Sequence, residues 1–280
     1  MISDSMLTPS FTINYRINDN TRQTSIDHRV DVQASRDEIR QLVEQGYLIR
    51  PALFPENLLE AMRTAVNRIS SEELDTSGTE LIPDNGHYIR CLMDKDPVFV
   101  EVLENQVTLS IARAVLGPQV WFDIEARVAF AGKAGQRVPW HIHHRVIPNP
   151  LPPFFSYPHA IHCLLYLDDV QSEMGPICIL PGSHQWPHYA VPADDTQARP
   201  GEIPLETKAG DCLIMHANLW HRTLPSQEGC GVRRLLLFGY TPSWIKSDVA
   251  RGIKPEQVIT DALRKTGDSE TRELLGEFYW

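Results

Sequence analysis

The residues best suited by type and spacing to do chemistry lie in Trp140-His141-Ile142-His143-His144. On an extended strand, residues i and i+2 point to the same side, so His141 and His143 aim two imidazoles at one point, which is the geometry of a metal site. A third imidazole is available from His221, which follows the strand-like run Asp211-Cys212-Leu213-Ile214-Met215 and lies just upstream of Arg233-Arg234. A close histidine pair, a distant histidine and then an arginine form the set that a mononuclear non-haem iron oxygenase needs. The competing reading is chance, since eleven histidines in 280 residues will sometimes fall at this spacing without function.

The elements that must position these side chains read as a helical prelude and a series of short strands. Residues 1–32 are polar and lack a sustained period, which suggests an N-terminal arm. Ser35-Arg36-Asp37-Glu38 resembles a capping box ahead of a helix through Ile39, Leu42 and Val43 that Gly46 ends. Tyr47–Arg50 is a short strand, and an amphipathic helix carries Leu58, Leu59, Met62 and Val66 on one face. Residues 70–87 turn polar around Gly78, Pro83 and Gly86, as a surface loop would, and two helical segments then end at Gly117-Pro118.

Strands dominate from Val120, at 120–130, 140–144, 159–167, 176–180, 203–207, 211–216 and 232–240, before a helical tail. Short strands separated by turn chemistry predict a mainly β protein with helical flanks around a double-sheet barrel or jelly roll. The expectation is one domain, with an arm at 1–32, a helical flank at 33–118, the jelly-roll core at 119–241 and a C-terminal helical segment at 242–280.

Composition narrows the partners. A formal net charge of −10 without a Lys/Arg tract argues against nucleic acid and against anionic membranes. By itself it favours a cationic or neutral small-molecule substrate slightly over a polyanion. No apolar run reaches bilayer length and no leader pattern is present, so the expected location is cytoplasmic. Five scattered cysteines without C-x-x-C spacing read as reduced packing residues. Composition leaves a homodimer open.

The ordered blocks Trp140-His141-Ile142-His143, Tyr166-Leu167-Asp168-Asp169, Gly175-Pro176-Ile177-Cys178-Ile179-Leu180-Pro181-Gly182-Ser183-His184 and His216-Ala217-Asn218-Leu219-Trp220-His221, closed by Arg233, resemble the phytanoyl-CoA dioxygenase (PhyH) family. That resemblance implies a double-stranded β-helix, cupin-like core and an oxygenase using Fe(II), 2-oxoglutarate and O2. It assigns His141, His143 and His221 to the metal and Arg233 to the far carboxylate of 2-oxoglutarate, with Arg234 as fallback. His162 and Tyr166 fall on a strand that lines the cosubstrate pocket in the family.

One position departs from the family pattern, which has Asp where this chain has His143. Four readings follow: a three-histidine iron site that uses 2-oxoglutarate, a three-histidine dioxygenase whose substrate chelates the metal directly, an inert jelly-roll binding protein, or a substitute carboxylate from Asp168, Asp169 or Glu173. Hydroxylation or desaturation of a small molecule is the expected outcome of the first. The Pro-rich insert at 146–158 is expected to cover the substrate with Phe154, Phe155 and Tyr157, and Trp140 is a further expected substrate contact. His144, His184 and His216 read as scaffold.

Overall fold

The computed structural model describes residues 11–19, 24–76, 79–82, 86–143, 160–186, 194–245 and 255–277. The chain begins with an antiparallel pair, β1 (Phe11–Asp19) and β2 (Thr24–Val32). Phe11, Ile13 and Tyr15 alternate with exposed residues and pack on the main core, so the expected arm is a half-buried ribbon. α1 (Arg36–Gln45) opens with the expected capping box: Ser35 Oγ accepts from the Glu38 N–H at 3.2 Å, and the Glu38 carboxylate accepts from the Ser35 N–H at 2.7 Å. Gly46 ends it at φ +86°. A Cβ there would sit 2.6 Å from His184 Nδ1, and His184 Nε2 donates to the Val43 carbonyl at 2.9 Å. The Pro-Gly-Ser-His turn is thereby locked to the end of α1.

β3 (Tyr47–Arg50), α2 (Glu56–Glu73), β4 (Glu80–Ile82) and β5 (Gly86–Ile89) follow, then α3 (Val100–Leu103) and α4 (Gln106–Leu116). The polar stretch expected as a loop thus contains two strands, because its few residues pair with a long neighbour instead of standing alone. β6 (Val120–Ala129), β7 (Val138–His141), β8 (Ile161–Tyr166), β9 (Ile177–Ile179), β10 (Ile203–Leu205), β11 (Cys212–His216), β12 (His221–Thr223) and β13 (Arg233–Pro242) build the β core. α5 (Val258–Thr266) and α6 (Ser269–Leu274) close the described chain.

The strands form two antiparallel sheets of a jelly roll: a major sheet ordered β3-β11-β8-β13-β6-β5-β4 and a minor sheet ordered β10-β9-β12-β7. Period-two alternation gives the major sheet two different faces. Ile124, Ala126 and Val128 of β6, with Leu236, Phe238 and Tyr240 of β13, enter the large apolar core with residues of α2 and α4. The residues between them, Glu125 and Arg127 on β6 and Arg233, Leu235 and Leu237 on β13, face a cavity between the sheets. Helical packing is thus spent on one face, which leaves the other free to carry chemistry.

Gly175 ties the sheets together at the Met174-Gly175-Pro176 turn. Its φ is +69°, and a Cβ there would collide with the Leu224 carbonyl oxygen and lie 2.9 Å from the Ser226 nitrogen. Both atoms are backbone and cannot rotate away. Gly175→Ala should therefore cost about 3 kcal/mol, combining left-handed strain with overpacking, read as a lower denaturation midpoint with an unchanged m-value.

A second expected result concerns pH. His87 of β5 is fully buried, its Nδ1 2.9 Å from Ser70 Oγ, beside the Lys95–Glu73 pair at 2.5 Å. Burial pushes this imidazole below its ordinary value, Glu73 opposes that and Lys95 adds to it. A depressed folded value means that the unfolded chain takes the proton more readily. Stability from this group is therefore complete above about pH 6.5 and is lost as pH falls below it, at up to about 1.4 kcal/mol per pH unit. Unfolding free energies at pH 7 and 5.5 should diverge less in His87→Gln than in the wild type; an equal difference would remove His87 from the account.

Candidate metal centre and its anion pocket

His141 ends β7, His221 opens β12, and the two are direct partners across the antiparallel ladder. Opposite residues of such a pair bring their Cβ atoms within about 5.5 Å, and here the ring centroids lie 4.1 Å apart. The ladder slips beside them, because His221 to Thr223 on β12 spans the same length as His141 to Val138 on β7. The additional residue forms a bulge at Pro139-Trp140, where a proline is tolerated and a side chain can be re-aimed. His143 lies just past the strand end, its N–H donating to the Ala217 carbonyl at 2.9 Å. The expected two-residue alternation therefore continues through a bend and not through regular strand.

The three rings converge. Their ligand atoms all lie within 4.8 Å of one another, with His143 Nε2 3.2 Å from His221 Nε2. His141 Nδ1 donates to the Pro139 carbonyl at 2.9 Å and His221 Nδ1 to the Leu219 carbonyl at 2.8 Å. These bonds put the ring proton on Nδ1 and leave each Nε2 with a lone pair. Burial pushes His221 well below the usual imidazole value, helped by His141, and burial lowers His141 likewise. Neutral rings with a common focus are suited to a divalent metal. His162 of β8 stacks on His143 at 4.2 Å and 25°.

Arg233 begins β13 and is 4% exposed. Its Nη1 donates to the Met174 carbonyl at 2.7 Å and to that of Gly175, while Nη2 is buried without a hydrogen-bond partner among the described residues. Burial pulls the guanidinium down to about 10, and the nearby Arg127 adds to the effect. Arg234 points the other way, its Nε donating to Asp168 at 2.9 Å and its Nη1 to Asn67 at 3.1 Å. Asp169 holds Lys208 at 3.0 Å. Asp168 and Asp169 are thus engaged away from the histidines, and no carboxylate joins the three rings among the described residues.

His141, His143, His162, Tyr166, His221 and Arg233 all line one cavity of about 280 Å³. Burial pushes the Tyr166 phenol up, so it stays neutral there. Trp140 does not line this cavity. It packs with Leu180 and Trp220 on the other side of β7, donates from Nε1 to the Gln197 carbonyl at 2.8 Å, and lies under the Arg222 guanidinium at 5.3 Å. Phe154, Phe155 and Tyr157, with the whole insert and His144, lie outside the described residues. Sequence reasoning passed over Arg127, Glu125, Tyr88 and Arg90, which also line the cavity. The signal for the first two was a charge at alternate positions of a strand whose intervening residues are Ile124, Ala126 and Val128.

The fold is shared with HygX of Streptomyces hygroscopicus. The likeness has a TM-score of 0.61 at 19% identity to the structure with nickel and 2-oxoglutarate bound, covering 76% of this chain and 89% of that one. The iron-bound HygX structure gives 0.59 at 18% identity. Among curated proteins, the ectoine dioxygenase of Stutzerimonas stutzeri is 26% identical over 184 residues, 60% of this chain and 59% of that protein. Dioxygenase aneA of Aspergillus aculeatus is 28% identical over 93 residues, 33% of this chain and 30% of its own length. The chain therefore spans less than two thirds of these curated relatives. Among the described residues no helix is long and apolar enough to cross a membrane. The phytanoyl-CoA dioxygenase model itself matches residues 42–234, which include all three converging histidines and both candidate arginines, and the chain belongs to the PhyH family.

Proposed function

We propose that this protein is an iron(II)- and 2-oxoglutarate-dependent oxygenase that hydroxylates or desaturates a small molecule at a three-histidine centre. The observation that carries the reading is the convergence of three imidazoles on a cavity also lined by a buried guanidinium with a spare donor, Arg233 Nη2. His141, His143 and His221 would hold the metal, and Arg233 the far carboxylate of 2-oxoglutarate. When bound, iron and 2-oxoglutarate supply dioxygen activation coupled to oxidative decarboxylation.

The chain's own part is positioning. Carbonyls of Pro139 and Leu219 fix the tautomers of His141 and His221, and those of Met174 and Gly175 hold Arg233 Nη1 and leave Nη2 without a protein partner among the described residues. Neutral Tyr166 adds a hydroxyl to the cosubstrate side. Leu164, Leu235, Leu237 and Ile177 form an apolar wall that limits water around the reacting carbon. In this reading the five free cysteines are packing residues of a cytoplasmic enzyme acting on a diffusible substrate, with no nucleic acid or membrane partner.

The test is anaerobic addition of iron(II) and then 2-oxoglutarate to metal-free protein, read by the visible iron-to-cosubstrate charge-transfer band. The band is the expected result. Iron binding without it would point to a directly chelating substrate, and failure to bind iron would leave a small-molecule binding cavity.

A further inference from the structure

Building on the three-histidine reading, we infer that Arg199 is a positioning residue of the metal centre: stacked on both Trp140 and Trp220, it fixes the spacing of the two ligands that follow those indoles in the chain. Trp140 immediately precedes His141, and Trp220 immediately precedes His221. The guanidinium carbon of Arg199 lies 4.8 Å from the Trp220 ring centroid and 5.7 Å from that of Trp140, within the roughly 6 Å over which a cation is drawn to an aromatic face. Both indoles are buried and pack on Leu180. Adjacent residues of extended chain point to opposite sides, so one cation outside the sheet holds the two segments whose next side chains enter the cavity.

The sheet itself explains why such a hold is needed. β7 is the outermost strand of the minor sheet and meets β12 at His141 and Val138, with the bulge between them. A bulge disrupts the ladder locally, so few strand hydrogen bonds place His141. The outer edge of β7 is taken instead by residues 195–202. The Trp140 N–H donates to the Asp195 carbonyl at 2.8 Å, and its indole Nε1 to the Gln197 carbonyl at 2.8 Å. This segment is closed on itself and onto β12. The Asp195 carboxylate accepts from the Arg199 guanidinium, and Glu202 accepts from the Arg199 N–H at 2.9 Å and from Arg222 at 2.5 Å. Arg222, next to His221, donates to the Thr196 carbonyl and lies over Trp140 alone. Arg199 is the cation that faces both indoles, and its Nε is buried without a hydrogen-bond partner among the described residues, as befits a group seated against rings.

The test compares Arg199→Gln, which removes the charge, with Arg199→Lys, which keeps a cation over the rings. Iron(II) affinity is measured anaerobically by competition with a chromogenic chelator. Ligand geometry is read from the visible ligand-field bands of cobalt(II) standing in for iron(II). Arg199→Gln should bind iron(II) about tenfold more weakly, the low end of the range for losing an orienting group behind a ligand, and its cobalt(II) bands should be displaced. Arg199→Lys should recover the wild-type bands and an affinity within about threefold of wild type, since either cation is drawn to an indole face. Wild-type affinity and bands in Arg199→Gln, with only a lower denaturation midpoint, would overturn the inference and leave Arg199 holding the fold alone. Equal losses in the two variants would also overturn it, by assigning the effect to the fork on Asp195 and not to the rings. If Arg199→Gln does not fold, Trp220→Phe decides: the smaller ring face should weaken iron(II) severalfold, and unchanged affinity rejects the role. If the wild type binds neither metal, the failure lies with the three-histidine reading. The ring proton resonances of His141 and His221 in metal-free protein then decide: a shift in Arg199→Gln that Arg199→Lys restores supports the role, and unmoved resonances reject it.

Discussion

Replacing Arg233 by alanine should weaken 2-oxoglutarate binding by about two to three orders of magnitude while iron(II) binding stays within about twofold. Truncating one partner of a buried, hydrogen-bonded charge pair costs about 2–5 kcal/mol, and every 1.4 kcal/mol is about tenfold in affinity. The separation of effects follows from geometry. Arg233 is held by the Met174 and Gly175 carbonyls, whereas the histidines are oriented by Pro139 and Leu219. Alanine would also strand two carbonyls, so a stability loss of about 1–3 kcal/mol should accompany it. Arg233→Lys should fall between, since an ammonium cannot hold those carbonyls and a carboxylate with the same fork. In the wild type with metal, 2-oxoglutarate at about one hundred times its dissociation constant should add about 2.7 kcal/mol of stability, and Arg233→Ala should show almost none. If calorimetry finds 2-oxoglutarate binding unaltered, the anchor is another cation, and Arg127 becomes the first to test.

Much of this site could be read from residue order. The arginine on the last core strand was visible because strand alternation converts spacing directly into facing, and the histidine pair because its spacing still converges through the bend after β7. Arg233 and Arg234 follow that rule, with one side chain in the cavity and the other on Asp168. The cross-strand pairing of His221 with His141 was not visible, because register depends on a bulge that no local pattern announces. Trp140 illustrates the opposite case. Its neighbour His141 faces the cavity, so alternation already places the indole behind the strand, against Leu180 and Trp220.

The inward charges of β5 and β6 were hidden for a different reason. Residues 80–89 look like a polar loop until β6 supplies a partner, and Arg127 looks like a surface cation until helices are found covering the other face of its sheet. The β1–β2 ribbon is an intermediate case, since Phe11, Ile13 and Tyr15 alternate cleanly within polar sequence. Local period was sufficient wherever a face was decided by the strand itself. It was insufficient wherever a second sheet or a helix layer decided it.

His143→Ala should lower iron(II) affinity by about a hundredfold or more, and His143→Asp should keep or raise it. Three ligands on one face hold the ion by mutual geometry, and removal of one leaves two imidazoles, His141 and His221, that are 4.1 Å apart by centroid. Loss of an orienting group behind a ligand already costs about 10–100-fold, so loss of a ligand itself should exceed that range. Aspartate should act differently because its negative charge attracts the metal in a site that holds two buried guanidiniums. Competition against a chromogenic chelator measures all three proteins, with near-UV circular dichroism as the folding control. The same series separates the roles open to His143. Wild-type affinity in His143→Ala would mean that the ring is not a ligand and that its stacking on His162 is structural. Iron binding that appears only in His143→Asp would mean that the imidazole has disabled the centre. Tight binding in wild type and Asp together, with loss in Ala, leaves the imidazole as a working ligand.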